Sequence, residues 1–334
     1  MEIFTRKLLT LCQMKKVNAI SSNRPLAVML FLVALPLILV SCFTGVEGTK
    51  KVSDKDVSKA ISRTQTAVKK QDLLVEYKDS VPAWKQGKRF YVTDSQVKLI
   101  FAPSSNSVNS DTVQLAGKTL AYDGYSVGGV LDNRKTVNLM FSDGSNKYTY
   151  STNKEIQEFN SQFQIPFLID EDMVAFYSKQ LSNKDFWIKT ALWYDEKNER
   201  MIKGRQFVKV HVERVEPGNK VFPLKVVFSA SDSGQEAFVW IATNVEVMKD
   251  RDFGSLFTTE NLRERHKDIT DANWARITNC QVVEGMTKEE CKLSLGTPKQ
   301  VKQRPTYDGL NEIWYYDGGS FLLFADGLLK DFRK

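Results

Sequence analysis

The sequence predicts an α+β chain: a β-rich body followed by a small C-terminal unit of two helices and a sheet. Three observations carry this reading. From Val81 to about Lys249, apolar or alternating runs of strand length recur, such as Lys88-Arg-Phe-Tyr-Val, Val97-Lys-Leu-Ile-Phe, Val137-Asn-Leu-Met-Phe and Lys147-Tyr-Thr-Tyr-Ser. Between Asp170 and Leu181 the apolar residues Met173, Phe176, Tyr177 and Leu181 fall on one helical stripe. Near the C-terminus, Val283-Glu-Gly-Met-Thr-Lys-Glu-Glu-Cys-Lys-Leu-Ser-Leu-Gly-Thr-Pro298 carries the start and stop signals of a short helix.

The N-terminal part sets the compartment. Leu26 to Val40 is an uncharged apolar run behind Arg24. It is shorter than the ~20 residues of a membrane-spanning helix and has the length of a signal-peptide core. The run closes in Leu39-Val40-Ser41-Cys42, which resembles the bacterial lipobox. In that motif small side chains precede a cysteine whose thiol takes up lipid and becomes the first residue of the mature chain. Residues 1–41 are therefore expected to be a lipoprotein signal peptide and Cys42 the lipidation site. Met14-Lys15-Lys16 also fits an ordinary start of such a peptide, so both Met1 and Met14 stand as candidate start codons. Phe43 after the cysteine points to outer-membrane delivery, lipid-anchored and facing the periplasm.

Processing changes the charge. The full chain has 47 Lys and Arg against 40 Asp and Glu, net +7. Arg6, Lys7, Lys15, Lys16, Arg24 and Glu2 lie in the signal segment, which leaves 42 against 39, or +3. That is an ordinary surface and gives no footprint for nucleic acid. Residues 42–80, rich in Lys, Ser, Thr and Asp, read either as a tether, with a frayed helix near Val57 to Val68, or as a solvated terminal helix docked on the body.

Within the body, residues 81–153 form a first β subdomain, 154–182 a helical connector and 183–249 a second β subdomain. Asp143-Gly144 and Ser145-Asn146 supply a hairpin turn. Thr152 and Glu155 have capping-box spacing, with Ile156, Phe159 and Phe163 following at helical spacing. The second subdomain echoes the first in order. Lys88-Arg-Phe-Tyr-Val returns as Lys184-Asp-Phe-Trp-Ile, and Ala116-Gly117-Lys118 as Lys203-Gly204-Arg205. Val137-Asn-Leu-Met-Phe-Ser returns as Leu224-Lys-Val-Val-Phe-Ser, and Tyr148-Thr-Tyr-Ser-Thr-Asn as Val239-Trp-Ile-Ala-Thr-Asn. This order predicts a diverged duplication of two small antiparallel barrels or sandwiches, SH3-like in pattern.

After a charged linker or helix at 250–267, Asp271-Ala-Asn-Trp-Ala-Arg-Ile-Thr reads as a helix burying Trp274 and Ile277. Thr287 and Glu290 form a capping box for the next, Gly296 ends it and Pro298 blocks its continuation. A polar loop follows, then apolar runs at Glu312-Ile-Trp-Tyr-Tyr and Phe321-Leu-Leu-Phe, an Asp326-Gly327 turn and Leu328-Leu-Lys-Asp-Phe. Gly285-Met286-Thr287, Leu295-Gly296, Pro298, Trp314, Tyr316, Phe324, Asp326-Gly327 and Leu329 together resemble the SmpA/OmlA, or BamE-like, domain of small outer-membrane lipoproteins. The resemblance covers about residues 268–334. It implies two short helices on a three-stranded antiparallel sheet, and a non-catalytic role in envelope assembly through contact with an outer-membrane protein or lipid.

Catalytic signals are weak. The two histidines, His211 and His266, sit in an alternating strand pattern and a charged segment, and neither has a nucleophile motif nearby. Gly128-Gly129 and Gly318-Gly319 fit turns, and Asp170-Glu171-Asp172 suits a helix start. No catalytic, cofactor or metal site is expected. Cys280 and Cys291, the other thiols of the mature chain, are candidates for a disulfide, against the reading that Cys291 fills an aliphatic slot. Two functions fit: a lipid-anchored envelope interaction or scaffold protein, or a periplasmic module binding peptidoglycan or glycan. An exposed cluster of Trp187, Trp193, Tyr194 and Trp240 would favour the second.

Overall fold

The alternating runs become strands of three antiparallel sheets with five, seven and four strands among the described residues. The computed structural model describes residues 74–102, 114–131, 134–243, 248, 250–306 and 309–333. They belong to one unit, Gln65–Lys334. The signal peptide over 1–41, Cys42 and the helix expected near Val57 to Val68 lie outside the described residues. So do both candidate start codons.

The first sheet contains β1 (Arg89–Val92), β2 (Thr119–Leu131), β3 (Arg134–Ser142), β4 (Lys147–Ser151) and β5 (Leu168–Asp170), in the order β4-β3-β2-β1-β5. Alternation puts Phe90, Leu120, Tyr122, Leu139 and Phe141 on one face, where they form a core with Val97 and Tyr148. Each such buried side chain adds about 1.5–3 kcal/mol of hydrophobic stabilisation. Asp143 shapes the β3–β4 turn by accepting the amides of Ser145 at 3.0 Å and Asn146 at 2.7 Å. Three expectations fail here. The run around Val97 is a 3₁₀ turn, Ser95–Leu99, with Phe101 making only an isolated bridge to Tyr150. Thr152 does not cap a helix, because its amide and hydroxyl both donate to Val137 O and continue the sheet. The capping box is instead Glu155 with Glu158 on a single 3₁₀ turn, Ile156–Glu158. Gly128-Gly129 is a bulge inside β2 rather than a turn.

The second sheet gathers β6 (Lys184–Ile188), β7 (Leu192–Tyr194), β8 (Met201–Lys203), β9 (Val208–Pro217), β10 (Leu224–Ala230), β11 (Glu236–Ile241) and β12 (Phe257–Thr258). Their order is β12-β6-β9-β10-β11-β7-β8. Helix α1 (Glu171–Leu181) starts where expected, capped by Asp170 through the Asp172 amide. Its stripe of Met173, Val174, Tyr177 and Leu181 joins Val210, Val212, Val226 and Phe228 in the core of this sheet. The helix thus completes the second core as well as connecting the two. Residues 74–80, expected within the tether, lie along it: Val75 and Gln180 exchange hydrogen bonds, and Tyr77 N donates to Tyr177 OH. The 250–267 stretch contributes α2 (Phe253–Leu256), β12 and α3 (Leu262–Arg265), and buries Phe253, Leu256 and Phe257 in the same core.

The two sheets share more than strand order. Strands β1-β2-β3-β4 run in the same neighbour order as β6-β9-β10-β11, and a late strand covers the outer edge of β1 and of β6. A bulge falls beside Phe141 in one and Phe228 in the other. At the bulge Ser142 donates to Asp123 at 3.2 Å, and Ser229 donates to Glu213 at 2.6 Å. The register also corrects the sequence echo. Tyr148 faces Phe141 and Ala237 faces Phe228, so the counterpart of Tyr148 is Ala237, two residues before Val239. The counterpart of Gly117 is Phe207, not Gly204: Gly117 N donates to Val92 O and Phe207 N to Ile188 O, both with positive φ, 78° and 59°. Gly204 has a different reason to be glycine, since a Cβ there would run into the buried Trp193 indole.

The C-terminal unit comprises α4 (Asp271–Thr278), α5 (Lys288–Leu295), β13 (Gln300–Thr306), β14 (Gly309–Tyr315), β15 (Phe321–Ala325) and β16 (Leu328–Arg333). The Thr287–Glu290 capping box is present, and Gly296 ends α5 at φ 82°. Asp326 and Gly327 both have positive φ, 48° and 87°, as a two-residue hairpin turn requires. The sheet has four strands, not three: the stretch expected as a polar loop pairs with β14 from Gln300–Tyr315 to Thr306–Gly309. Its exposed, polar side chains hid it, as is usual for an edge strand. Ile277, Met286, Cys291, Trp314, Leu322 and Phe324 form the core of this unit.

The unit is seated on the body by Gln206. Its backbone amide donates to Thr278 O at 2.9 Å. Its side-chain amide lies within hydrogen-bonding distance of the Ile277, Leu293 and Ser294 carbonyls at 2.9, 2.9 and 3.0 Å. These carbonyls lie at the ends of both helices, where a helix leaves its last acceptors unsatisfied; Ile277 O also accepts the Cys280 amide at 2.9 Å. Phe207, held in its left-handed conformation beside them, packs on Trp274 at a ring distance of 6.0 Å.

Candidate functional site

A cleft of about 560 Å³ lies where residues 76–84, the 161–167 segment, the start of α1 and the Asn219-Lys220 turn meet. The local sequence builds each wall. Trp84 packs its ring against Phe90 at 4.9 Å and Tyr122 at 5.4 Å. Phe163 lies 4.7 Å edge-on from Phe159. Phe167 sits at φ 66°, a strained conformation for a bulky side chain, and its carbonyl accepts both the amide and hydroxyl of Thr93. Lys220 holds its ammonium 5.9 Å from the Phe167 ring centre. Across the rim Gln164 donates to Thr243 Oγ1 at 3.4 Å.

One end of the cleft is charged. Asp170 uses Oδ1 to cap α1, which leaves Oδ2 for Lys88 at 2.9 Å and the Tyr77 hydroxyl at 3.0 Å. Asp79 likewise accepts the Ser80 amide with Oδ1 and meets Lys88 at 3.0 Å with Oδ2. Asp172 completes the set at 2.8 Å. The Lys88 side chain is only 4% exposed, and its Nζ stands 5.7–5.9 Å from the Tyr77, Trp84 and Phe90 ring centres. Burial would lower its pKa, but the bonds to Asp172 and Asp170 outweigh it and hold the ammonium charged, well above the ordinary lysine value. Burial lifts the Asp170 carboxyl and the Tyr77 phenol above their usual ranges. Arg89 pairs with Glu171 at 3.0 Å, so Lys88-Arg89 engages the whole Asp170-Glu171-Asp172 triplet. The triplet therefore does more than favour a helix start.

This site is not legible in the sequence. Lys88 and Arg89 looked like the polar start of a strand, and the triplet like a helix cap. Their opposite charges were visible, but only the β1–β5 pairing brings them together. The aromatic set that was singled out does not form one patch. Trp193 is fully buried and donates its Nε1–H to Thr190 O. Tyr194 and Trp240 belong to a separate small cluster with Phe238 and Phe222. Trp187 is half-buried under Lys209. His211 bonds Asp185 at 2.8 Å on the surface, and His266 reaches Glu289 at 3.3 Å. Among the described residues no group of three metal-ligating side chains converges. Cys291 is a fully buried free thiol whose pKa burial, then the nearby Glu290 charge, pushes up to about 12. Cys280 is half-buried at a turn with φ 54°.

A second surface belongs to the C-terminal sheet. Trp314, Leu322 and Phe324 point to the helices, so by alternation Ile313, Tyr315, Phe321 and Leu323 share the opposite face. These four are only partly covered and lie outside the core clusters of the described residues. Lys302 lies on this face with its ammonium 5.1 Å from the Tyr315 ring centre, and Arg333 is paired with Phe321.

The chain matches no family model, no curated protein sequence and no solved structure. No helix among the described residues is long and apolar enough to cross a membrane.

Proposed function

We propose that this chain is a lipid-anchored cell-envelope interaction protein, held to the outer membrane through Cys42 and facing the periplasm. In this reading it contacts an outer-membrane or other envelope protein through its C-terminal unit and performs no catalysis. Residues 268–334 are read as a BamE-like module with one added edge strand. The body is read as a diverged duplication of SH3-like β subdomains, supported by the shared strand order, the matching bulges and the two serine–acid bonds.

The observation that carries the interaction reading is the outer face of the C-terminal sheet. An apolar strip of Ile313, Tyr315, Phe321 and Leu323, bordered by Lys302, Arg333 and Asp331, has the composition of a docking surface with a polar rim. A photo-crosslinking residue at Leu323, in cells, is expected to capture one envelope protein, and the Leu323→Asp variant to lose that partner without losing fold. Cys42→Ala is expected to abolish labelling by a palmitate analogue. Continued labelling of that variant would end the lipoprotein reading, and unchanged partner recovery by Leu323→Asp would end the docking reading.

A second reading, a periplasmic module that binds peptidoglycan or glycan, is favoured by the aromatic-walled cleft beside Lys88. Pelleting of the full chain with insoluble peptidoglycan tests it.

A further inference from the structure

We propose that the cleft beside Lys88 binds a ligand bearing a free ammonium group, of the class of a short peptide with a lysine-like side chain or a free amino end. The inference rests on the ligand-binding reading above and narrows it. The volume, about 560 Å³, lies within the ~300–1,000 Å³ range of sites that enclose a small ligand. Among the described residues, the acidic side chains along its wall are Glu76, Asp79 and Asp170, and the basic one is Lys220. Lys88 is shared by Asp79, Asp170 and Asp172, and Lys78 stands 3.8 Å from Glu76, so these four acids face three ammonium groups and keep a surplus of one negative charge, which disfavours an anionic ligand.

The wall already holds one ammonium. Lys88 Nζ is bonded to three carboxylates, and three rings that line the cleft, Tyr77, Trp84 and Phe90, lie within 6 Å of it. Carboxylate oxygens with aromatic faces are the combination that recognises an ammonium group. Glu76 at the mouth is 59% exposed, and its ion pair among the described residues is a loose one with Lys78, at 3.8 Å. It is therefore placed to meet a second cation. A neutral sugar would find rings and the amides of Gln162 and Asn219, but would leave the negative surplus unmatched.

Calorimetry on the full-length chain in detergent, with three probes, tests this: the tripeptide Ala-Lys-Ala amide, its fully N-acetylated form, and N-acetylchitotriose. The tripeptide is expected to bind, more weakly as salt rises, and acetylation to weaken it by roughly tenfold or more, about 1.4 kcal/mol. Glu76→Gln, at an exposed position that the fold does not need, is expected to weaken it several-fold, and Asp79→Asn further. Equal binding of the acetylated tripeptide would overturn the proposal. Binding of N-acetylchitotriose or of insoluble peptidoglycan without the tripeptide would overturn it and leave the broader ligand-binding reading standing. Failure of every probe, insoluble peptidoglycan included, would overturn both.

Discussion

The backbone amide of Gln206 donates to the carbonyl of Thr278 at 2.9 Å, which ties the bend just before β9 to the last residue of a helix in the C-terminal unit. The side chain of Gln206 is buried and serves three further carbonyls. Gln206→Ala removes this donor from the Leu293 and Ser294 carbonyls, while Ile277 O keeps the Cys280 amide, and is expected to cost about 1–3 kcal/mol. Hydrogen exchange of the full chain should show the ends of α4 and α5 opening more often. Unchanged exchange there would mean that Phe207 and Trp274 alone hold the joint.

Lys88→Met leaves Asp79, Asp170 and Asp172 around an apolar side chain. Breaking a buried ion pair from one side typically costs ~3–5 kcal/mol, and this one serves three acids. Asp172 has a well-exposed side chain, so Asp172→Asn alone should change stability little. Combined with Lys88→Met, it should recover part of the loss. Additive effects of the two substitutions in denaturant titrations would contradict the coupling.

The acid limb of stability should report on Asp143. Burial would raise its pKa, but the amides of Asn146 and Ser145 and the Tyr148 hydroxyl outweigh it and hold the carboxyl at about 2, below its ordinary 3.8. The folded value is depressed, so the contribution is present above the unfolded pKa. It is lost as pH falls from about 4 through about 2. Asp143→Asn should flatten the fall of melting temperature over that window. A slope identical to the parent chain would show that other carboxylates set it.

Cys291 is expected to resist alkylation in the native chain at about pH 8, because burial removes both access and thiolate. Unfolding without reductant should expose both Cys280 and Cys291 to the reagent. A peptide pair spanning the two, lighter by two hydrogens, would instead establish a bridge between them.

Much of the fold was legible where local chemistry and tertiary demand agree. The capping box at Thr287, the stop at Gly296 and the Asp326-Gly327 hairpin depend on neighbours in sequence, and all three stand. The stripe from Met173 to Leu181 fixed helix α1 for the same reason. Readings failed where a distant partner decided. Thr152 has capping spacing, but Val137 on the next strand takes its hydrogen bonds. Gln300–Thr306 has no apolar face to betray a strand, yet β14 supplies the ladder. The echo between residues 81–153 and 183–249 is visible in the sequence, but its register depends on the bulges at Asp123 and Glu213. Of the candidate site, the aromatic and acidic residues were visible one by one. Nothing in the sequence announces that Lys88 lies buried among three aspartates, or that Gln206 spans two helix ends.

The seat that Gln206 and Phe207 provide has a thermodynamic consequence for any partner of the C-terminal sheet. A module on a free leash would lose orientational freedom when gripped, and that loss would subtract from affinity. Here the helix ends are already fastened to the segment leading into β9, so the sheet face would meet a partner with its bearing set beforehand. Substitutions at Gln206 that leave the face untouched should then slow capture or weaken it, an effect at a distance that arises from lost preorganisation alone.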